Sequence, residues 1–455
     1  MSFLKKLFSD NKASSADASS DSSSNSRPRS TEEPAEIAAE EVAEDFAVLD
    51  LPPELNEAIA GLGFTHCTPV QKEVLPYSLD GRDVIAKAQT GTGKTAAFLI
   101  SIIAYDLENP TLKDRPPGTP FALIIAPTRE LVLQISSDAN DLAESTDMSI
   151  VSVVGGIDYE KQKRALLKPV SIVVATPGRL LDFCRSNVIN LSQVESLVID
   201  EADRMLGMGF IPDVKAIIQR TPKKNQRQTQ LFSATFSEDI KRLASSWTLD
   251  PVHIDIEPEK LAVDTVKQII YLTSEEDKYK VLYNLIVQHE ISRVIVFVNR
   301  RDETRRLEDK LYRHGFKTGL LTGEVPQKKR IRTLDEFKEG KIEVLVATDV
   351  AGRGIHVDDI SHVVNYNLPE DPEDYVHRIG RTGRAGAEGI SVTLACETDS
   401  FMLPNIEELL GEPLICEQPA EELLVDTPSP TRKSRQRSSD NRPSGRSQHN
   451  RRHRR

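Results

Sequence analysis

Short runs of aliphatic and β-branched residues recur along this chain, each followed by a longer stretch of helical periodicity. That alternation restricts the fold more than any other feature. Leu123-Ile124-Ile125 and Ile172-Val173-Val174 carry no polar position, so neither face of such a strand suits water. Strands of this kind belong in a parallel sheet covered by helices on both sides and wound through right-handed βαβ crossovers. The runs predict strands over Asp83–Ala88, Ala122–Ala126, Ile150–Val154, Ile172–Ala175, Leu197–Asp200 and Gln230–Ser233. A second series predicts strands over Arg293–Val298, Lys317–Leu321, Glu343–Ala347, His362–Tyr366 and Ile390–Ala395. Pro251, Pro258 and nearby acidic residues break the pattern between the two series. The expected order is a disordered acidic, Ser-rich extension (1–45), an α/β domain (46–250) and a linker (251–263). A second α/β domain (264–415) and a disordered basic tail (416–455) follow.

With 455 residues the chain can bury two or three separate cores, and 38% apolar content fits folded domains diluted by polar extensions. Cys67, Cys184, Cys396 and Cys416 stand far apart with no Cys-x-x-Cys spacing. This argues against zinc or a disulfide framework and fits a reducing, cytoplasmic setting. No run reaches the roughly 18 apolar residues of a transmembrane segment. Met1–Phe8 is too brief for a secretory signal and reads as a frayed amphipathic start, the alternative being contact with a membrane surface or a partner. The net charge of −12 hides opposed ends: Thr31–Asp50 holds eight acidic residues and no basic one, Thr431–Arg455 ten Lys/Arg and one Asp. A basic arm on an acidic protein points to contact with nucleic acid or an acidic partner, a solubilising tail being the alternative.

Two segments of the first series define a chemistry. The strand at Asp83–Ala88 runs into Gln89-Thr90-Gly91-Thr92-Gly93-Lys94-Thr95, and a helix continues from Ala96. Glycines let backbone N–H groups converge on phosphate oxygens, and a helix N-terminus favours the anion. In such a cradle Lys94 reaches the β and γ phosphates and the Thr95 hydroxyl ligates Mg²⁺. Ala88 stands where the general pattern has glycine. Further on, Val198-Ile199-Asp200-Glu201 places two carboxylates at the C-terminal end of a buried strand, where open α/β sheets bind ligands. Asp200 is expected to hold Mg²⁺ through water, and Glu201 to orient and deprotonate the attacking water. Nucleoside triphosphate binding and hydrolysis follow from the pair. Only the first series carries the cradle, so one nucleotide is expected between unlike halves.

Asp200-Glu201-Ala202-Asp203 resembles the signature of the DEAD-box RNA helicases, and the other motifs of that family follow in order over roughly residues 46–415. Gly63-Phe64 through Thr68-Pro69-Val70-Gln71 resembles the Q motif, with Phe46 at the upstream aromatic position and Cys67 replacing the usual proline. The resemblance implies ATP as the nucleotide, with Gln71 bonding the adenine edge and Phe64 packing on it. Pro127-Thr128-Arg129-Glu130-Leu131, Gly155-Gly156 and Thr176-Pro177-Gly178-Arg179 resemble RNA-backbone motifs, and Ser233-Ala234-Thr235 the motif coupling nucleotide state to strand separation. In the second half, Val296–Asn299 is similar to motif IV and Gln327-Lys328-Lys329-Arg330 to the Gln-x-x-Arg contact motif. Ala347–Ile355 is similar to motif V and His377–Arg384 to motif VI.

This resemblance implies two tandem RecA-like domains, the first binding ATP. It implies that Arg381 and Arg384 act as arginine fingers on the γ phosphate, that Asp349 helps bind nucleotide, and that His377 and Arg378 couple the sites. Thr128, Arg129, Gly156, Thr176, Arg179, Arg330 and Thr348 are the expected RNA contacts. They offer backbone amides, hydroxyls and guanidinium groups, which read phosphates and 2′-hydroxyls rather than base sequence. His356 departs from the family's Asp, an exchange that an imidazole cannot make good. With Leu320–Gly323, Leu368–Asp371 and Cys67-Thr68-Pro69 it leans toward the bacterial RhlB branch, which implies the RNA degradosome and its endonuclease RNase E as partners. The expected activity is RNA-stimulated ATP hydrolysis that unwinds short RNA duplexes in RNA degradation. An ATP-gated RNA clamp with little turnover is the alternative, and Glu201 with the two arginines argues against it.

Overall fold

A computed structural model of the chain describes residues 46–89, 91–109, 115–256, 266–352, 360–383 and 389–433. It divides into two compact units, Met1–Glu259 and Lys260–Arg455. Each is built on one seven-stranded, all-parallel sheet with helices packed on both faces.

In the first unit the strands are β1 (Val84–Lys87), β2 (Ala122–Ile125), β3 (Ile150–Val153), β4 (Ile172–Ala175), β5 (Ser196–Ile199), β6 (Gln228–Ser233) and β7 (Val252–Asp255), ordered β3-β4-β2-β5-β6-β1-β7. Alternate residues feed opposite cores. Val84, Ala86, Ile124 and Val198 pack into one, while Ile85, Leu123, Ile125, Leu197 and Ile199 pack into the other. At about 1.5–3 kcal/mol for each fully buried aliphatic side chain, this double burial accounts for the near-continuous apolar runs.

The second unit repeats the plan with β8 (Val266–Leu272), β9 (Val294–Phe297), β10 (Thr318–Leu321), β11 (Val344–Ala347), β12 (His362–Asn365), β13 (Gly389–Ala395) and β14 (Cys416–Glu417), ordered β10-β11-β9-β12-β13-β8-β14.

Three strands lie where the sequence reading placed none. The expected linker 251–263 opens with β7, whose Val252–Asp255 pairs in register with Val84–Lys87 of β1. Its burial is uneven, with Ile254 covered but His253 and Asp255 exposed, so its periodicity is that of an edge strand rather than of the central runs. β8 carries Lys267 and Gln268 among its apolar residues, which broke the pattern in the same way.

The expected tail 416–455 also starts inside the fold. Cys416–Glu417 pairs with Ile270–Tyr271 of β8, and a 3₁₀ turn at Glu421–Leu424 buries Leu423 in the core cluster that also holds Leu282 and Leu285. Asn284 Nδ2 donates to the carbonyls of Leu423 (3.0 Å) and Val425 (2.8 Å), and Thr431 N donates to Arg313 O at 2.9 Å. A single buried leucine in a polar stretch gives no periodicity to read. Residues 1–45 and 434–455, assigned to the extensions, lie outside the described residues, as do Arg384, Thr90 and His356.

Candidate nucleotide and RNA sites

Strand order decides what meets in the first unit. β5, β6 and β1 are neighbours, and register sets Lys87 beside Ser233 and Ile199 beside Leu231. The loop after β1, the carboxylates after β5 and the Ser233-Ala234-Thr235 segment after β6 therefore share one stretch of the sheet's C-terminal edge. β2, β4 and β3 carry Thr128–Arg129, Thr176–Arg179 and Gly156 at their own C-terminal ends, on the other side of β5. One sheet edge thus holds a phosphate-type half and a backbone-contact half.

Between β1 and the helix Lys94–Glu108, Gly91 and Gly93 take φ of +89° and +92°, a region that side chains resist. A Cβ on Gly93 would also lie 2.7 Å from both Gln71 Nε2 and Thr68 Oγ1. Lys94 is buried and its Nζ donates to Ala88 O at 2.6 Å, closing the loop on itself. Ala88, in place of the pattern's glycine, uses its carbonyl for this contact and is itself buried in the core. Thr92 Oγ1 donates to Gln89 O, and Thr95 is half-buried on the first helical turn. Gln71, expected at the adenine edge, has its amide engaged locally: Oε1 accepts from Thr68 N (2.9 Å) and Nε2 donates to Gly93 O (3.2 Å). It ties the Q motif to the phosphate loop. Phe46 is buried in the first core, whereas Phe64 is 42% exposed and open to a stacking partner.

Asp200 is buried, and burial pushes its carboxyl up to about 6 against the pull of Lys94, with Glu201 and Asp203 adding to the rise. Its donor set with the Thr95 hydroxyl is all hard oxygen. Mg²⁺ takes one or two protein oxygens and fills the rest of its shell from water and phosphate, so the pair suits it. Among the described residues no group of three or more His, Cys, Asp or Glu forms a self-sufficient metal cage. Glu201 sits in the left-handed region at φ +54° with both carboxylate oxygens held by Arg204 Nη1, at 2.9 and 3.0 Å.

Asp203 was not among the residues singled out, yet it joins two motifs. Its Oδ2 accepts from Ala234 N (2.9 Å) and Thr235 N (3.0 Å), and its own N–H donates to Ser233 Oγ at 3.1 Å. Arg204 was also missed. Only the Asp-Glu-Ala-Asp pattern signalled Asp203, and nothing short of coordinates signalled Arg204.

Among the expected RNA contacts, Thr128 caps the helix Arg129–Leu142 by accepting from Leu131 N, and Gly156 is exposed with φ +77°. Thr176 occupies the N-cap position of the helix Pro177–Arg185 without a side-chain capping bond. The Arg179 guanidinium lies over Tyr159 and Phe183, 5.4 and 5.8 Å from the ring centroids, and its Nη1 has no hydrogen-bond partner among the described residues.

In the second unit Arg378 is the hub. It is buried, its Nε and Nη2 fork onto Asp349 at 2.5 and 2.7 Å, and it donates to Asn299 Oδ1 (2.8 Å) and Asn367 O (2.7 Å). Asp349, expected at the nucleotide, has its carboxylate taken up here. Arg381 is buried and its Nε donates to His377 O at 3.2 Å, while His377 Nδ1 lies 3.9 Å from Asp374. Arg330 donates to Ala351 O at 3.2 Å, and Thr348 O accepts from the N–H groups of Ala351 and Gly352.

Residues 68–243 match the DEAD/DEAH box helicase family and residues 277–386 the helicase conserved C-terminal domain. The chain is 57% identical over 379 residues to the ATP-dependent RNA helicase RhlB of Pseudomonas putida, spanning 83% of this chain and 95% of the relative. Against RhlB of Shigella dysenteriae the identity is 45% over 393 residues, 86% of this chain and 93% of the relative. S. cerevisiae Dbp5 bound to RNA and ADP BeF3 is similar with a TM-score of 0.73 at 31% identity, over 83% of this chain and 95% of that one. Mss116p bound to ssRNA and AMP-PNP gives 0.74 at 29% identity, over 84% and 81%.

Proposed function

The chain belongs to the DEAD-box family of ATP-dependent RNA helicases, and from that premise we propose how its residues divide the work. The adjacency of β1, β5 and β6 carries the reading, because it sets phosphate loop, carboxylates and coupling segment side by side. Lys94 and the loop amides bind the β and γ phosphates, with Phe64 on the adenine and Gln71 bracing loop and base edge together. Asp200 and Thr95 hold Mg²⁺, which when bound neutralises phosphate charge. Glu201 orients the attacking water and takes its proton. Asp203 transmits the change at Glu201 to the Ser233-Ala234-Thr235 segment through three hydrogen bonds.

RNA lies along Thr128, Arg129, Gly156, Thr176 and Arg179, whose donors suit phosphates and 2′-hydroxyls. Arg330 and Thr348 extend that track in the second half. With ATP and RNA both bound, Arg381 and Arg384 neutralise the transferring phosphoryl oxygens, as a guanidinium fork does well. Arg378, on the helix Pro372–Ile379 that leads into Arg381, ties that helix to the segments bearing Asp349 and Asn299. The bound strand is bent, a short duplex opens, and loss of the γ phosphate releases the product.

RNA decay beside an endonuclease of the RNase E type, in the cytoplasm, is the setting that the RhlB relatives suggest. Among the described residues no helix is long and apolar enough to cross a membrane.

Lys94→Ala is expected to abolish RNA-stimulated hydrolysis in a steady-state ATPase assay. Arg381→Ala should bind ATP nearly normally and lose turnover by about a thousandfold or more, the range of arginine fingers. Retained turnover in the first variant removes the phosphate-loop assignment, and an unchanged rate in the second removes the finger.

A further inference from the structure

Arg204 follows the Asp-Glu-Ala-Asp segment, and its surroundings are unusual for an ion pair that serves stability. Its side chain is 3% exposed and that of Glu201 6%. One nitrogen, Nη1, donates to both carboxylate oxygens of Glu201, at 2.9 and 3.0 Å, while Nη2 is buried with no hydrogen-bond partner among the described residues. A buried guanidinium with an idle amino group is a poor stabiliser, since desolvation of both charges opposes the pair and the unmet donor adds to that cost. The nearest alternative acid is committed elsewhere, because Asp203 accepts from Arg204 N, Ala234 N and Thr235 N. Folding alone does not explain why this side chain is turned onto Glu201.

Geometry at the carboxylate does. Two nearly equal distances place Nη1 on the bisector of the two oxygens, so it engages their inner lone pairs and leaves the outer ones open. Glu201 itself starts the short helix Ala202–Gly207 from a left-handed backbone, a conformation that a non-glycine residue holds only when its neighbours fix it. Met205 N bonds Glu201 O at 3.1 Å and Asp200 accepts from Glu201 N at 2.9 Å, which fixes the main chain and leaves the side chain to Arg204. We propose that Arg204 is a positioning residue for ATP hydrolysis, clamping the Glu201 carboxylate in the single orientation from which an outer lone pair meets the attacking water. The proposal rests on the reading of Glu201 as the group that handles that water.

The test is a double-mutant cycle on the full-length protein with saturating oligoribonucleotide, read as single-turnover hydrolysis and as fluorescent-nucleotide binding. Arg204→Met should bind nucleotide as the parent does and lose about 10- to 100-fold in kcat, with KM for ATP little changed. Arg204→Lys keeps the charge and should recover part of that loss. In a Glu201→Gln background the Arg204→Met change should cost nothing further. If its loss is undiminished there, or if folded Arg204→Met and Arg204→Lys turn over like the parent, the clamp is refuted. If Glu201→Gln alone turns over normally, the reading of Glu201 fails instead, which separates the two errors. Should Arg204→Met not fold, Arg204→Lys carries the cycle.

Discussion

Asp200 is placed where a carboxylate is least comfortable. Burial lifts its carboxyl from 3.8 to about 6, so at neutral pH the folded protein holds a charge that it would rather neutralise. The sign follows from proton linkage: the folded state binds the proton more tightly than the unfolded chain, so stability falls as pH rises from 3.8 through about 6. The whole shift corresponds to about 3 kcal/mol at most, an expense that a bound cation reverses. Asp200→Asn should therefore unfold later than the parent at pH 8 in nucleotide-free, Mg²⁺-free urea titrations, by about 1–3 kcal/mol, with the gain shrinking toward pH 4. Trp247, the single tryptophan, is buried in the first unit and reports that transition. A gain that ignores pH, or a loss, would mean that desolvation does not govern this residue. The sequence told of a carboxylate at a strand end. Its burial, and the grip of Arg204 on Glu201, depended on side chains packing three residues and more away.

Elements were legible where physics made them periodic. The eleven strands that the apolar runs predicted stand within two residues of their expected ends, because burial on both faces keeps most of their positions apolar. β7, β8 and β14 escaped because edge and near-edge strands mix exposed and covered residues. The same reason hid the stretch 416–433, which was read as tail. Its hold on the second unit is specific: Leu423 in the core, Asn284 on two of its carbonyls, and Lys280 paired with Asp426 at 3.0 Å. Leu423→Ala should lower the stability of the second unit by about 2–5 kcal/mol, as buried leucine truncations do. A chain ended after residue 415 should melt below one ended after residue 433 in circular dichroism. Equal melting temperatures would return this segment to the tail.

At the scale of the molecule, nucleotide and RNA have to be felt together for a helicase to spend ATP only on RNA. A ligand shifts a conformational equilibrium only by its differential affinity for the two states. On the division of labour proposed above, ATP would offer its γ phosphate to the arginines of motif VI and RNA its backbone to both track segments, so each should favour the closed state by part of the free energy needed. Moving such an equilibrium from 1:99 to 99:1 takes about 5.5 kcal/mol, more than either contact set alone is expected to supply. With one dye on each unit, energy transfer should rise when a non-hydrolysable ATP analogue and an oligoribonucleotide are both present, and little with either alone. ADP, lacking the γ phosphate, should not support it. Arg381→Ala should fail to close, whereas Glu201→Gln, expected to bind without hydrolysing, should stay closed with ATP itself. An all-DNA oligonucleotide separates this enzyme from a DNA translocase, because the 2′-hydroxyl contacts are absent and closure should not follow. If the inter-unit distance ignores nucleotide and RNA together, the phosphate loop and the motif VI arginines do not serve one ATP, and the division of labour proposed for this chain is wrong.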